Sequence, residues 1–370
     1  MLKEKKHFEN FDSLRAVAAL LVLLYHFTLW LHFPKGIFYD TIQKAISFNH
    51  YGGPLAVRFF FTLSGFLITY LMFEEKERNG NFNIINFYIR RALRIWPIYF
   101  ISLIIGFVVY PLLLEWQHIK FHEVSNPVFF SLFLANFDVM YHHHPINGLL
   151  GLQWSVAVEE QFYLLAPLFF LLLSKKIFPW FQLILISISY VFYLKHWNDG
   201  SSIPHYHTLC ILSYLSFGSL AAWVCFFQLK RIEKVLDLIN KISIFIIYTS
   251  VLLFIFFFDD IHQLFPSVNA IVLKVITTLF FIFIIIEQTY SIHSFYKIGQ
   301  IKILNYLGKI SYGLYIYHMT AIYLVIFLFK KDESTIWLQM FVALFLTISI
   351  SAFSFKYIEK YFQEIKKKFI

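Results

Sequence analysis

A chain of 370 residues that is 59% hydrophobic, 21% aromatic and only 14% charged, with a mean hydropathy of +0.65, is too apolar for a soluble domain and belongs in a bilayer. Its formal net charge of +9 is spread over many short segments, which excludes a nucleic-acid surface and reads as membrane topology. The two cysteines, Cys210 and Cys225, share one apolar stretch too far apart along a helix to bridge, and they exclude a cysteine metal cluster.

The N-terminus is basic (Lys3, Lys5, Lys6), and the apolar run behind it is too long for a signal peptide and lacks a small-residue cleavage site, so a retained first span is expected. Apolar runs at 14–33, 54–73, 95–114, 149–174, 177–195, 208–228, 241–258, 266–287, 304–329 and 336–355 predict roughly ten spans. A shorter run at 126–137 reads as re-entrant or interfacial. The expectation is an all-α, polytopic transmembrane helical bundle: a single membrane domain over 1–370, with no soluble extracytoplasmic domain. Alternating the spans from an inside N-terminus puts 22 Lys and Arg on cytoplasmic segments and 6 outside, leaving Arg15, Arg58 and Lys274 within spans. Both termini are then cytoplasmic, in a multi-pass protein of the cell (inner or plasma) membrane.

The first span, FDSLRAVAALLVLLYHF, opens on the helix caps Asp12 and Ser13 and carries Arg15 and His26. At about 100° and 1.5 Å per residue these two return to one helix face, roughly 16 Å apart. A histidine at membrane depth is costly to keep and reads by default as functional. In the second span, FFFTLSGFLITYLM, Ser64 and Gly65 suggest close helix approach; Ser64 lacks the G-x-S-x-G setting of a nucleophile. Arg58, near the outer end, is a candidate contact for substrate or a lipid headgroup. Next, FYIRRALRIWP places Arg90, Arg91 and Arg94 just before Pro97, which is expected to open span three. With Arg15 these form an arginine patch at the cytoplasmic rim, suited to phosphate or to snorkelling. The outer loop 115–148, with His118, His122 and the run His142, His143, His144, reads as a solvated loop, and no metal is expected.

Span four contains LQWSVAVEEQFYLLAP, with Trp154 and Ser155 near its outer end and Glu159 and Glu160 about 15 Å below it. Span nine contains SYGLYIYH, with His318 roughly 16 Å below its outer end. Two histidines and two glutamates thus share a layer in the outer half of the bilayer. Adjacent glutamates point about 100° apart, so one faces His26 and the other pairs elsewhere. A carboxylate beside an imidazole raises its basicity and fixes its tautomer, as a general base requires; the alternative is a polar knot between helices. Trp154 is placed to stack on a sugar face or to join the aromatic belt.

Five motifs in order, FDSLRAVAALLVLLYHF, FFFTLSGFLIT, RRALR, WSVAVEEQFYLLAPL and ISYGLYIYH, resemble the acyltransferase-3 family of integral membrane acyltransferases, which includes O-antigen and exopolysaccharide O-acetylases. The resemblance implies an enzyme using cytoplasmic acetyl-CoA, or another acyl-CoA, to acylate a hydroxyl of a glycan or lipid-linked sugar. It assigns the family's Arg-to-His pair to Arg15 and His26, its R-x-x-R motif to Arg91 and Arg94 as acyl-CoA contacts, and its Trp-Ser-Glu motif to Trp154, Ser155 and Glu159. His26, tuned by Glu159 or Glu160, would deprotonate the acceptor hydroxyl or carry the acyl group transiently. A rival reading is a proton-coupled transporter or flippase of a lipid-linked sugar, since buried His and Glu also serve proton coupling.

Overall fold

The structure, a computed structural model, describes residues 8–31, 36–46, 52–142, 145, 147–197, 199–257, 269–329 and 332–369. Lys3, Lys5, Lys6, His143 and His144 lie outside the described residues. The principal helices, in chain order, are α1 (Glu9–Trp30), α2 (Gly52–Asn79), α3 (Ile84–Ile104), α4 (Gln153–Leu172) and α5 (Phe178–His196). They continue with α6 (Thr208–Phe227), α7 (Leu229–Asp237), α8 (Lys241–Phe256), α9 (Asn269–Tyr290), α10 (Lys302–Lys309), α11 (Ser311–Phe329) and α12 (Ile336–Ser354). Among the described residues there is no strand. Among the described residues, nine helices are long and apolar enough to span a membrane, ten if the pair α7 and α8, bent by 94°, counts as one broken span. The protein is a polytopic helical membrane protein.

Two expectations need correction. Pro97 does not open a span: α3 starts thirteen residues earlier, capped by the Asn83 side chain, which accepts from Asn86 N at 3.0 Å. Proline is tolerated inside a membrane helix although it removes the hydrogen bond to the carbonyl four residues back, that of Leu93; nearby, the Tyr312 hydroxyl donates to the Ile95 carbonyl at 3.0 Å. The run 126–137, too short to span and expected as re-entrant or interfacial, forms two short helices, Pro127–Ser131 and Ala135–His142, with a positive φ of 56° at Phe133 between them. The ninth run divides at Ile310 into α10 and α11.

The chain forms two compact units. Unit 1 comprises Met1–Glu74, Tyr214–Ser311 and Val325–Val342. Within it α1 runs antiparallel to α2: the Phe11 ring packs against Phe66 at 5.6 Å, and Gly53 lies against Tyr25 at the other end. Helices α2 and α6 touch backbone to backbone. A Cβ on Gly65 would stand 2.0 Å from the Leu215 carbonyl oxygen, and one on Gly218 2.0 Å from that of Thr62. This is the close approach that small residues permit where no hydrophobic force drives helices together. The far end of α9 is tied by Glu287, fully buried and accepting from the Tyr248 hydroxyl at 3.0 Å, Gln288 Nε2 at 2.8 Å and the Ser294 hydroxyl. Lys297 Nζ donates to the Glu287 and Gln288 carbonyls at 2.9 and 2.8 Å, closing the helix terminus. Helix α10 packs flush against the start of α1, with Gly308 against the Asp12 carbonyl.

Unit 2 comprises Glu75–Ser213, Tyr312–Leu324 and Ala343–Ile370. Helix α3 runs antiparallel to α4: Tyr88 donates to the Leu164 carbonyl at 2.7 Å, Trp96 to Glu160 at 2.9 Å and Gln153 to the Ser102 hydroxyl at 3.0 Å. Residues 312–324 of α11 line up against α4 in the same antiparallel sense, from Ser155 and Tyr315 to Gly148 N, which donates to the Tyr323 hydroxyl at 2.7 Å. Side-chain hydrogen bonds between apolar helices thus set the register of this unit.

Candidate active site

In unit 1, His26 lies half-buried near the end of α1. Its Nδ1 is 2.9 Å from the Val22 carbonyl oxygen, one turn back, and its ring meets Tyr25 edge-on at 5.2 Å. A carbonyl can only accept, so Nδ1 carries the proton and a neutral ring keeps its lone pair on Nε2. Local sequence alone produces this fixed tautomer, because residues four apart on a helix are neighbours. At the other end of α1, Arg15 reaches Asp12 at 3.4 Å. Ser64 sits half-buried beside Gly65 at the α2–α6 crossing, and Arg58 lies one and a half turns into α2, over the Tyr214 ring at 5.9 Å.

In unit 2, the acidic pair on α4 takes two different partners. Glu159 accepts from the Tyr163 hydroxyl at 3.2 Å, whereas Glu160 accepts from Trp96 Nε1 at 2.9 Å. The divergence follows from their 100° separation around the helix. Arg91, 8% exposed, lies over the Phe87 ring at 5.6 Å and within electrostatic range of Glu160. Arg94 stands within electrostatic range of Glu359, which is buried at the end of a widened π turn, Phe355–Glu359. Arg90 ion-pairs with Glu75 at 2.5 Å and donates to the Phe369 carbonyl at 2.7 Å. Each arginine of the motif therefore has its own acidic neighbour.

One turn above the glutamates, the Ser155 and Tyr315 hydroxyls stand 2.6 Å apart, both close to the Leu152 carbonyl. His318 is fully buried, with Nδ1 2.7 Å from the Tyr315 carbonyl, so it too carries its proton on Nδ1. Trp154 meets Tyr206 edge-on at 5.1 Å.

Of the residues singled out from sequence, unit 1 holds Arg15, His26, Arg58 and Ser64. Unit 2 holds Arg91, Arg94, Trp154, Ser155, Glu159, Glu160 and His318. Sequence reasoning missed Trp96, Tyr312, Tyr315, Glu359 and the Tyr214–Lys274 contact. Lys274 carried a signal, a lysine inside a span. Glu359 carried none, since it lies in the charged stretch KYIEKYFQEIKKK and reads as a cytoplasmic tail.

Ionisable side chains set at membrane depth in an all-helical, multi-pass bundle define a membrane protein with a polar interior built for chemistry or transport. A family model described as an acyltransferase domain, Acyl_transf_3, matches residues 8–355, and the chain belongs to this acyltransferase-3 family of enzymes. Among its relatives, the peptidoglycan O-acetyltransferase OatA of Listeria monocytogenes serovar 1/2a is 28% identical over 375 residues, covering 96% of this chain and 56% of its own. The O-acetyltransferase OatA of Staphylococcus aureus (strain NCTC 8325 / PS 47) is 27% identical over 375 residues, 96% of this chain and 57% of its own. A protein of Staphylococcus aureus (strain COL) is 26% identical over 383 residues, 98% of this chain and 58% of its own. The chain thus spans a little over half the length of these relatives. No solved structure is significantly similar to it.

Proposed function

We propose that this acyltransferase moves an acetyl or other short acyl group from cytoplasmic acyl-CoA to a hydroxyl of a cell-envelope glycan or lipid-linked sugar at the extracytoplasmic face of the inner or plasma membrane. The observation that carries the reading is the tautomer of His26: with Nδ1 hydrogen-bonded to the Val22 carbonyl, the ring lone pair that takes up a proton is on Nε2. In the proposed reaction His26 Nε2 accepts the acceptor's hydroxyl proton and the alkoxide oxygen bonds to the thioester carbonyl carbon. The carbon–sulfur bond then breaks, and the thiolate leaves and takes up a proton. Glu159 and Glu160 are the acidic groups of unit 2 in this reading, and the Ser155–Tyr315 hydroxyl pair supports α4 one turn from them.

For the donor, Arg15, Arg91 and Arg94 are the residues that would hold the CoA phosphates. Arg91 and Arg94 share one helix face, and the planar guanidinium fork fits phosphate oxygens. Arg90, committed to Glu75, stands outside that set. The glycan acceptor is supported by the names of the relatives, among them a peptidoglycan O-acetyltransferase.

The test is mass spectrometry of envelope glycans from cells carrying the wild-type chain or His26→Ala. The wild type should add an acyl mass increment, and His26→Ala should lower it by about 10²-fold or more with the protein still extracted folded from membranes. An unchanged increment in the variant removes His26 from the mechanism.

A further inference from the structure

The reaction above leaves one buried carboxylate of unit 2 unused. Glu359, 6% exposed, ends the π turn Phe355–Glu359 that follows α12, and its Oε1 is buried with no hydrogen-bond partner among the described residues. Arg94, half-buried on α3, lies within electrostatic range but does not reach that oxygen. The two phenols in the same range are engaged elsewhere. Tyr312 donates to the Ile95 carbonyl at 3.0 Å, and Tyr317 pairs with the Ser354 hydroxyl at 3.1 Å. Lys356 and Lys360, on either side in sequence, are exposed. The segment carrying Glu359 is pinned to α3 further along, where Arg90 donates to the Phe369 carbonyl at 2.7 Å.

Buried polar atoms are nearly always hydrogen-bonded, and a buried carboxylate with an empty oxygen calls for a donor from outside the chain. Widened turns of this kind frequently mark functional sites. The neighbouring arginine shows the difference. Arg90 and Glu75 close on each other at 2.5 Å, which leaves no place for a ligand between them. Arg94 and Glu359 stay open, a cation and a hydrogen-bond acceptor side by side. A ligand that completes them presents an anion to the arginine and an N–H or O–H to the carboxylate. A phosphate alone does not fit, because the carboxylate repels it and offers it no bond.

We propose that Glu359 determines which acyl donor this enzyme accepts: its carboxylate takes a hydrogen bond from an amide N–H or hydroxyl of the pantetheine arm while Arg94 holds a phosphate, and its charge turns away nucleotides that carry phosphates without the arm. The proposal rests on the reading of acyl-CoA as donor. The pantetheine arm starts at the CoA phosphates and bears amide and hydroxyl groups, so one molecule supplies both the anion and the donor.

The test measures affinities of the full chain in detergent, by calorimetric titration, for coenzyme A and for adenosine bisphosphate, its nucleotide end without the arm. The wild type should bind coenzyme A at least tenfold more tightly. Glu359→Ala should lose about tenfold in coenzyme A affinity, the worth of a hydrogen bond to a charged group. The same variant should bind adenosine bisphosphate as well as the wild type or better, so that the preference collapses. Glu359→Gln keeps an acceptor without the charge and should fall between. A residue that merely steadied Arg94 would lower both affinities together, and an unchanged ratio in the two variants overturns the proposal, as does equal affinity of the wild type for both ligands. Wild-type protein that binds neither ligand removes the acyl-CoA reading itself, a failure distinct from those. If Glu359→Ala does not fold, the ratio in Glu359→Gln decides.

Discussion

The two units solve the problem of charge in a membrane in opposite ways. In unit 2 cations and carboxylates are matched one to one along α3: Arg90 with Glu75, Arg91 near Glu160, Arg94 near Glu359. In unit 1 the helices are held by shape, glycine against backbone, and Arg58 stands over an aromatic ring with no carboxylate among the described residues. Matched charges set register and hold helices. A cation over a ring is held by a weaker contact than an ion pair among helices. The difference is one of means: charge neighbours along α3, and close backbone approach at the α2–α6 crossing.

The largest structural effect expected is at the α2–α6 crossing. Gly65→Leu would drive a side chain into the Leu215 carbonyl, a backbone atom that cannot step aside. Overpacking typically costs about 1–3 kcal/mol where side chains can shift, so a backbone clash should exceed about 3 kcal/mol. Thermal unfolding in detergent measures it, and Gly218→Leu should match it from the other side. Gly80, with a φ of 74° and no atom near its Cβ position, is the control in which only conformational strain acts. Were Gly65→Leu no worse than Gly80→Leu, unit 1 would not be held by close approach.

Unit 2 should instead be sensitive to charge. Removing one partner of the Arg90–Glu75 pair, whose side chains are each 12% exposed, leaves a partly buried charge alone at a cost of about 3 kcal/mol. Arg90→Ala and Glu75→Ala should each lose about that much, and the exchange Arg90→Glu with Glu75→Arg should recover part of it. A double-mutant cycle with no coupling would put the two units on the same footing. Next in size is Trp96→Phe, which deletes the indole N–H donated to Glu160 and should cost about 1–2 kcal/mol. Glu160→Gln keeps an acceptor for Trp96 and should cost less.

Most of the fold was legible because membrane spans announce themselves by length and hydropathy, and the run boundaries missed only where a local exception intervened. Pro97 misled because a membrane helix tolerates an internal proline where a soluble helix would break, so the residue marks no boundary here. The site was legible in part. His26, Glu159 and Glu160 stood out as ionisable residues in apolar runs, and their expected divergence around α4 is what the Tyr163 and Trp96 hydrogen bonds display. The arginine patch looked bare in the sequence because Glu75 and Glu359 lie in stretches so rich in charge that neither reads as buried. Tyr214 was invisible for the opposite reason: one tyrosine among 23 gives no sign that two cations will converge on it.

The smallest effect expected marks where matched charge stops mattering. Asp199, in the loop after α5, accepts from Ser201 N at 2.9 Å and stands 2.6 Å from His196 Nδ1. The Ser201 hydrogen bonds, with His196 behind them, hold its carboxyl down to about 2, below the ordinary aspartate range. A depressed carboxyl favours folding only while ionised, so whatever it contributes is present above pH 4 or so and is lost as the pH falls toward 2. Since the group is exposed in a loop, Asp199→Asn should leave thermal unfolding at neutral pH unchanged within error. Any gap between the two proteins should close between about pH 4 and 2 and not above. A loss on the scale of Arg90→Ala would mean that ion pairs count wherever they occur in unit 2, in solvent as much as among its helices, and burial would no longer explain why the arginines of α3 need their partners.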